Sequence, residues 1–241
     1  MIKIILFDLD GTLLPMDQDA FTKAYFKRLA AKLAPHGYEP QKLIDAVWAG
    51  TAAMVKNDGG CTNEEVFWKR FTEIMGAGTL RDKPIFDEYY RVEFQNVKEA
   101  CGFTPQAKSA VKQLREAGYR LALATNPIFP AVATQSRIRW AGLEPEDFEL
   151  YTTYENTCYC KPNPSYYKDI LTRLRCEADE CLMVGNDVEE DMVAQSVGMR
   201  VFLLTDCLIN KRDKDISAFP QGGFSDLCRY MEHGQNGGTG N

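Results

Sequence analysis

The feature that most constrains this chain is an apolar run that stops on two acids: Ile2 to Phe7, then Asp8-Leu9-Asp10-Gly11. A run of that length, rich in isoleucine and bounded by a glycine, reads as a strand buried on both faces. Gly11 is where the chain turns, since glycine alone takes a positive φ cheaply. Asp8 and Asp10 therefore stand at the C-terminal edge of a buried strand. In an open sheet of parallel strands, that edge is where ligands bind. Two carboxylates crowded there repel each other unless a cation or a shared proton relieves them. The simplest such cation is Mg²⁺, which prefers hard oxygen ligands.

The rest of the chain supplies the sheet. An apolar stretch at Tyr119–Ala124 follows a helical stretch over Pro105–Ala117 that ends at Gly118. Further helices are expected over Ala131–Ala141, Ser165–Leu174 and Val188–Val197. Further strands are expected at Tyr151-Thr152, Cys181–Val184 and Arg200–Leu204. Strands alternating with helices of this length predict an α/β fold, a Rossmann-like parallel sheet with helices on both faces. Between the first strand and this alternation the pattern is helical almost throughout. Asp17 or Asp19 can cap a helix that Pro35-His36-Gly37 breaks, and a second spans Gln41–Lys56. Thr62 and Glu65 form a capping box for a third, and a fourth covers 84–97. The expected organisation is an α/β core made of 1–15 and 98–233, an all-helical domain over 16–97, and a disordered tail over 234–241. The segment Lys56–Thr62 carries Gly59-Gly60. It reads equally as a plain connector and as a loop dipping toward Asp8.

Composition narrows the partners. The chain has 241 residues with 45% hydrophobic and 26% charged, ordinary for a globular protein with a sizeable core. The net charge is −6 and no lysine–arginine block occurs, which disfavours binding to nucleic acid. No stretch of about 18 apolar residues predicts a membrane span, and the N-terminal apolar run is too short for a signal peptide. Eight scattered cysteines in so long a chain read as free thiols of a reducing, cytoplasmic protein. Cys158-Tyr159-Cys160 lacks the further ligands that a structural zinc site needs.

Three more polar groups follow predicted strands. They are Thr125-Asn126 after Leu121–Ala124, Lys161 after the strand at Tyr151, and Gly185-Asn186-Asp187 with Asp191 after Cys181–Val184. Parallel strands share one C-terminal edge, so these groups converge on Asp8 and Asp10. Taken singly, each has a plain structural reading as a helix cap or a solvated charge. Together they assemble a hydroxyl, an amide, an ammonium and several carboxylates, a set suited to a phosphoryl group and a divalent cation.

The order Asp-Leu-Asp-Gly-Thr, Thr-Asn, Lys-Pro and Gly-Asn-Asp with a later Asp resembles the haloacid dehalogenase-like hydrolase superfamily, from residue 1 to about 205. The helical stretch after the first motif resembles the cap domain of one large subgroup. The resemblance implies Asp8 as nucleophile and Asp10 as acid and base. It implies Thr125, with Asn126 beside it, and Lys161 as phosphate-binding residues. It implies Mg²⁺ held by Asp8, the Asp10 backbone carbonyl and Asp187, with Asn186 and Asp191 in support. Many relatives have Gly-Asp directly, whereas here Asn186 intervenes. Asn186 and Asp187 are thus both candidates for the metal, and the charged Asp187 is favoured. The implied activity is hydrolysis of a small phosphorylated metabolite through an aspartyl-phosphate. A phosphomutase is the first alternative. A 2-haloacid dehalogenase needs neither metal nor an acid at Asp10, and a binding module would not need these residues intact.

Overall fold

The computed structural model describes residues 1–236. Six strands form one sheet: β1 Ile4–Phe7, β2 Arg120–Leu123, β3 Leu150–Tyr151, β4 Cys181–Gly185, β5 Arg200–Leu204 and β6 Gln221–Gly222. Their order is β3-β2-β1-β4-β5-β6, and every pairing is parallel. Ile4 to Phe7 pair with Arg120 to Leu123 on one side and with Cys181 to Val184 on the other. From β1 the chain first builds outward through β2 and β3, then returns to the opposite side with β4. The strand order thus reverses next to β1, and the crevice that opens at such a reversal lies directly beyond Phe7.

The period-two rule explains the two layers. Ile5 and Phe7 face one cluster with Leu121, Leu123, Val184 and Phe202, while Ile4 and Leu6 face a second with Ala122, Met183, Val201 and Leu203. The first cluster is covered by α5 Pro105–Glu116 and α8 Phe224–Asn236, and the second by α7 Pro164–Leu174. Both faces are buried, which is why β1 reads as an unbroken apolar run. The remaining helix of this part, α6 Ala131–Trp140, follows β2.

Between β1 and β2 lie α1 Gln18–Leu33, α2 Pro40–Val55, α3 Asn63–Met75 and α4 Lys83–Arg91, with 3-10 helices joining α1 to α2 and α3 to α4 and an irregular segment joining α2 to α3. Asp17 caps α1 by accepting from the Ala20 amide at 2.8 Å. Thr62 and Glu65 form the expected capping box of α3. The chain leaves and re-enters the sheet side by side, since Gly102 N–H donates to the Pro15 carbonyl at 2.7 Å. No described helix is long and apolar enough to cross a membrane, and all eight cysteines are free.

Three expectations differ from the structure. The helix expected over 84–97 stops at Arg91, and Glu93–Ala100 is a 3-10 helix. Phe94 and Val97 are both fully buried, and a spacing of three suits a coil with three residues per turn. The helix expected over Val188–Val197 is a turn followed by a 3-10 helix at Met192–Val197. Here Asp187 Oδ1 accepts from the amides of Glu189 and Glu190, and Asp191 Oδ2 accepts from the amide of Asp187. Side chains that bind their own backbone compete with the helical ladder. The tail expected over 234–241 begins within α8, whose last residue is Asn236; the remainder, 237–241, lies outside the described residues.

Candidate active site

The backbone of the sheet sets the geometry. Asp8 N–H donates to the Val184 carbonyl and Ala124 N–H donates to the Phe7 carbonyl, so the three central strands end level. Asp8, Thr125 and Asn186 therefore emerge beside one another, all buried. The Thr125 carbonyl is held from below by the hydroxyls of Thr152 (2.6 Å) and Tyr166 (2.8 Å). That contact fixes the edge of β2.

Lys161 is drawn into this edge, its side chain 1% exposed. Its Nζ lies 2.8 Å from Asp8 Oδ1 and 2.6 Å from Asp191 Oδ1. Burial works against its charge, but Asp191 and Asp8 outweigh that and hold the ammonium protonated well above its ordinary range. A buried charge persists only with such partners. The Thr12 hydroxyl lies 3.2 Å from Asp8 Oδ2 and 2.8 Å from Asn186 Oδ1, bridging the two. Asn186 is fixed further by donating from Nδ2 to the Cys207 carbonyl at 2.6 Å. A side chain at Gly11, whose φ is +89°, would run into Asn186. This is the turn that requires glycine.

Asp10 sits apart from this network. One of its oxygens pairs with Arg137, whose side chain is wholly buried on α6 and also lies over the Phe129 ring, 4.5 Å from its centroid. The other oxygen, Oδ1, is buried without a hydrogen-bond partner. Burial pushes the Asp10 carboxyl up to about 6, with Arg137 opposing and Asp8 adding to the rise. A carboxyl with a displaced proton affinity and an unpartnered oxygen is equipped to exchange a proton near neutrality. Asn126 donates to Glu190 Oε2 at 3.0 Å, and its own Oδ1 is buried and unpartnered. Burial raises the Glu190 carboxyl to about 7.

These groups floor a cavity of about 330 Å³ between the sheet edge and the helices α1–α4. Asp8, Asp10, Thr125, Asn126, Asn186, Asp187 and Asp191 all line it, and Lys161 touches two of them from behind. Every residue expected at the shared strand edge is thus brought to one place. Asn186 is the one tied to Asp8 through Thr12, whereas Asp187 Oδ1 serves the following turn. No three acidic, histidine or cysteine side chains among the described residues form a ready metal cluster. The donors present are carboxylate and amide oxygens. That set fits Mg²⁺, which takes one or two carboxylates and completes its shell with water and substrate oxygens.

The segment 56–62 does not reach the cavity. Asn57 donates to Asn63 Oδ1 at 2.8 Å. Asn63, fully buried at the head of α3, donates to the Pro127 and Tyr159 carbonyls at 3.2 and 3.3 Å. The segment pins α3 to the sheet side.

Arg137 and Glu190 did not stand out in the sequence, and Thr12 stood there only as the end of the Asp-Leu-Asp-Gly-Thr motif, without a role. Arg137 had one legible signal: it is four residues from Ala133 and three from Trp140, on the face of α6 that packs inward.

A model of the haloacid dehalogenase-like hydrolases matches residues 2–198. Among curated proteins, the chain is 26% identical over 210 residues to ribulose-1,5-bisphosphate 5-phosphatase of Halopiger xanaduensis, covering 84% of each. It is 29% identical over 200 residues to phosphoglycolate phosphatase of Pectobacterium atrosepticum, covering 83% of this chain and 78% of that protein. Among solved structures, 2-haloacid dehalogenase from Pseudomonas syringae superposes with a TM-score of 0.64 at 20% identity, over 97% of this chain and 99% of that one.

Proposed function

The chain belongs to the haloacid dehalogenase-like hydrolases, and from that premise we propose that it is a Mg²⁺-dependent phosphatase releasing phosphate from a small phosphorylated metabolite through an aspartyl-phosphate. Phosphatases and a dehalogenase share the fold, so the reading rests on the site. The observation that carries it is Asp10: a second carboxyl on the cavity wall beside Asp8, with a buried free oxygen and a proton affinity raised toward neutrality. Displacing a halide needs no such proton donor, whereas expelling an alkoxide from phosphorus does.

In this reading Asp8 attacks phosphorus in line with the departing oxygen. The Asp8 O–P bond forms as the bond to the leaving oxygen breaks, and Asp10 gives that oxygen its proton. A water then attacks phosphorus, Asp10 takes the water's proton, and inorganic phosphate leaves with Asp8 restored. Lys161 and Thr125 steady the phosphoryl oxygens. Asp191 holds Lys161 in place and protonated. Asp8, the Asp10 carbonyl, and Asn186 or Asp187 would hold Mg²⁺, whose charge offsets the repulsion between carboxylate and phosphate. Residues 16–97 act as a cap domain over the core formed by 1–15 and 98–233, closing the site to bulk water.

The test is phosphate release from p-nitrophenyl phosphate with Mg²⁺ by the wild type and Asp8→Asn. The substitution conserves size, so the variant folds, and its activity falls below a few per cent of wild type. A folded variant with substantial activity overturns the covalent mechanism.

A further inference from the structure

The walls of the cavity above the catalytic floor indicate which leaving group it takes. The Phe129 ring lies against Arg137, and Arg137 pairs with Asp10, the acid that serves the departing oxygen in the proposed mechanism. The wall next to the leaving group is therefore aromatic from its first atom. It continues through Phe21 and Tyr25, whose rings stand 6.1 and 5.5 Å from Phe129. Phe67, Trp68 and Tyr154 make another part of the wall, with Phe67 5.5 Å from Trp68 and 6.4 Å from Tyr154. At the outer side stands Trp48 of α2, half exposed at 51%.

Charge on this wall is as telling as its apolarity. No lysine or arginine of α1–α4 lines the cavity. Among the described residues the one lining lysine is Lys211, two residues after Ile209, which is bridged to Asp187, so it stands on the sheet side. The one charged lining group from the helices is the acid Asp87 of α4. The other polar lining groups of the helices, Gln18, Thr22, Thr51 and the indole N–H of Trp48 and Trp68, are neutral, and the Tyr25 and Tyr90 hydroxyls bond to each other at 2.8 Å. A carboxylate or second phosphate on a leaving group packed against this helical wall would shed its water with no cation of α1–α4 to receive it, and beside Asp87. Size is compatible with a ring. A dry cavity of about 150 Å³ holds benzene, and this one, at about 330 Å³, also has room for the phosphoryl group.

We propose that the substrate is the phosphate monoester of an uncharged, ring-bearing apolar alcohol, and that the enzyme discriminates against leaving groups carrying a carboxylate or a second phosphate. The inference rests on the phosphatase reading and refines it. It sets this chain apart from relatives named for ribulose-1,5-bisphosphate and phosphoglycolate.

The test measures kcat/KM of the full chain, with Mg²⁺, for benzyl phosphate, glycerol phosphate, phosphoglycolate and ribulose bisphosphate. All four expel an alkoxide, so the ranking reports the wall and not the chemistry of departure. Benzyl phosphate is expected to lead each of the others by about tenfold or more, the worth of one well-buried apolar group in a pocket. Thr51→Arg, which places a cation on the half-buried wall, is expected to lower the ratio of benzyl phosphate to phosphoglycolate by about tenfold as well. Phosphate release led by phosphoglycolate, ribulose bisphosphate or glycerol phosphate overturns the substrate assignment and leaves the phosphatase standing. No release from these four or from p-nitrophenyl phosphate overturns the phosphatase itself, and the assignment with it.

Discussion

Arg137→Met tests whether the buried guanidinium tunes Asp10 or merely packs. Methionine keeps much of the stem against Phe129 and removes the charge. Two opposite charges about 4 Å apart are worth about 4 kcal/mol at the effective dielectric of a protein. An adjacent arginine accordingly lowers a carboxyl by about one to three pH units. Asp10 lies at about 6 with Arg137 in place, so removal carries it to between about 7 and 9. The consequence is selective. A protonated Asp10 still serves the leaving group, but only an ionised one can take the proton of the attacking water. With its midpoint near 8, only about a tenth of Asp10 is ionised at pH 7. Breakdown of the aspartyl-phosphate should then slow about tenfold at pH 7 and recover as pH rises. Rapid-quench kinetics with p-nitrophenyl phosphate read this as a burst of nitrophenolate followed by a slow steady state, with the kcat profile displaced to higher pH. Stability should fall by less than the roughly 3–5 kcal/mol of a broken buried pair, because Asp10 can neutralise by keeping its proton. A folded variant whose pH profile superimposes on that of the wild type would refute the reasoning and reduce Arg137 to packing.

Asp10→Asn should cost more with alkyl phosphates than with p-nitrophenyl phosphate, whose leaving group needs little protonation; equal losses would show that Asp10 acts elsewhere. The same variant reports on stability. The folded carboxyl, at about 6, holds its proton more tightly than the ordinary 3.8, so its contribution is full below about 4 and is lost, by about 3 kcal/mol, as pH rises to about 6. The Tm of Asp10→Asn relative to wild type should therefore climb across that window and level off above it, and a flat difference would contradict the raised value. A chelator should abolish activity and Mg²⁺ restore it, while Ca²⁺, larger and looser in its coordination, should inhibit; full activity in excess chelator would revive the metal-free dehalogenase reading. Of the two metal candidates, Asn186→Ala should raise the half-saturating Mg²⁺ concentration more than Asp187→Ala, because Thr12 ties Asn186 to Asp8; the reverse order would return the role to Asp187. Gly60→Ala should leave the substrate ranking unchanged, since nothing close surrounds it but Asp58, whereas Gly59→Ala, at φ +98° and against Tyr159, should lower Tm.

How much of this was legible in the sequence follows from which interactions are local. The strands of the sheet interior announce themselves because both their faces are buried, so Ile4–Phe7 and Cys181–Gly185 are apolar without interruption. The α3 cap needs only Thr62 and Glu65, three residues apart. At the sheet's far edge, β6 is two residues long and contains no apolar side chain. Its place comes from pairing with β5, not from any pattern of its own. The turn at 188–191 failed as a helix for a related reason. Its apolar positions look helical, but the two aspartates spend their oxygens on nearby amides, and that competition depends on where Lys161 holds Asp191.

The site divides along the same line. Asp8, Asp10, Thr125, Lys161 and Asp191 could be gathered in advance because each follows a strand and parallel strands share an edge. Pairing between elements could not. Arg137 is a charge on the inward face of a helix, a position that an isolated sequence assigns to error or to a salt bridge with an unnamed partner. Only the packing of α6 against the turn after β1 supplies Asp10 as that partner. The same packing brings Phe129 beneath the guanidinium, so one buried arginine ties Asp10 to the aromatic wall of the cavity. A change in that wall near Phe129 is therefore expected to move the proton affinity of Asp10 together with the choice of leaving group, because both depend on where Arg137 rests.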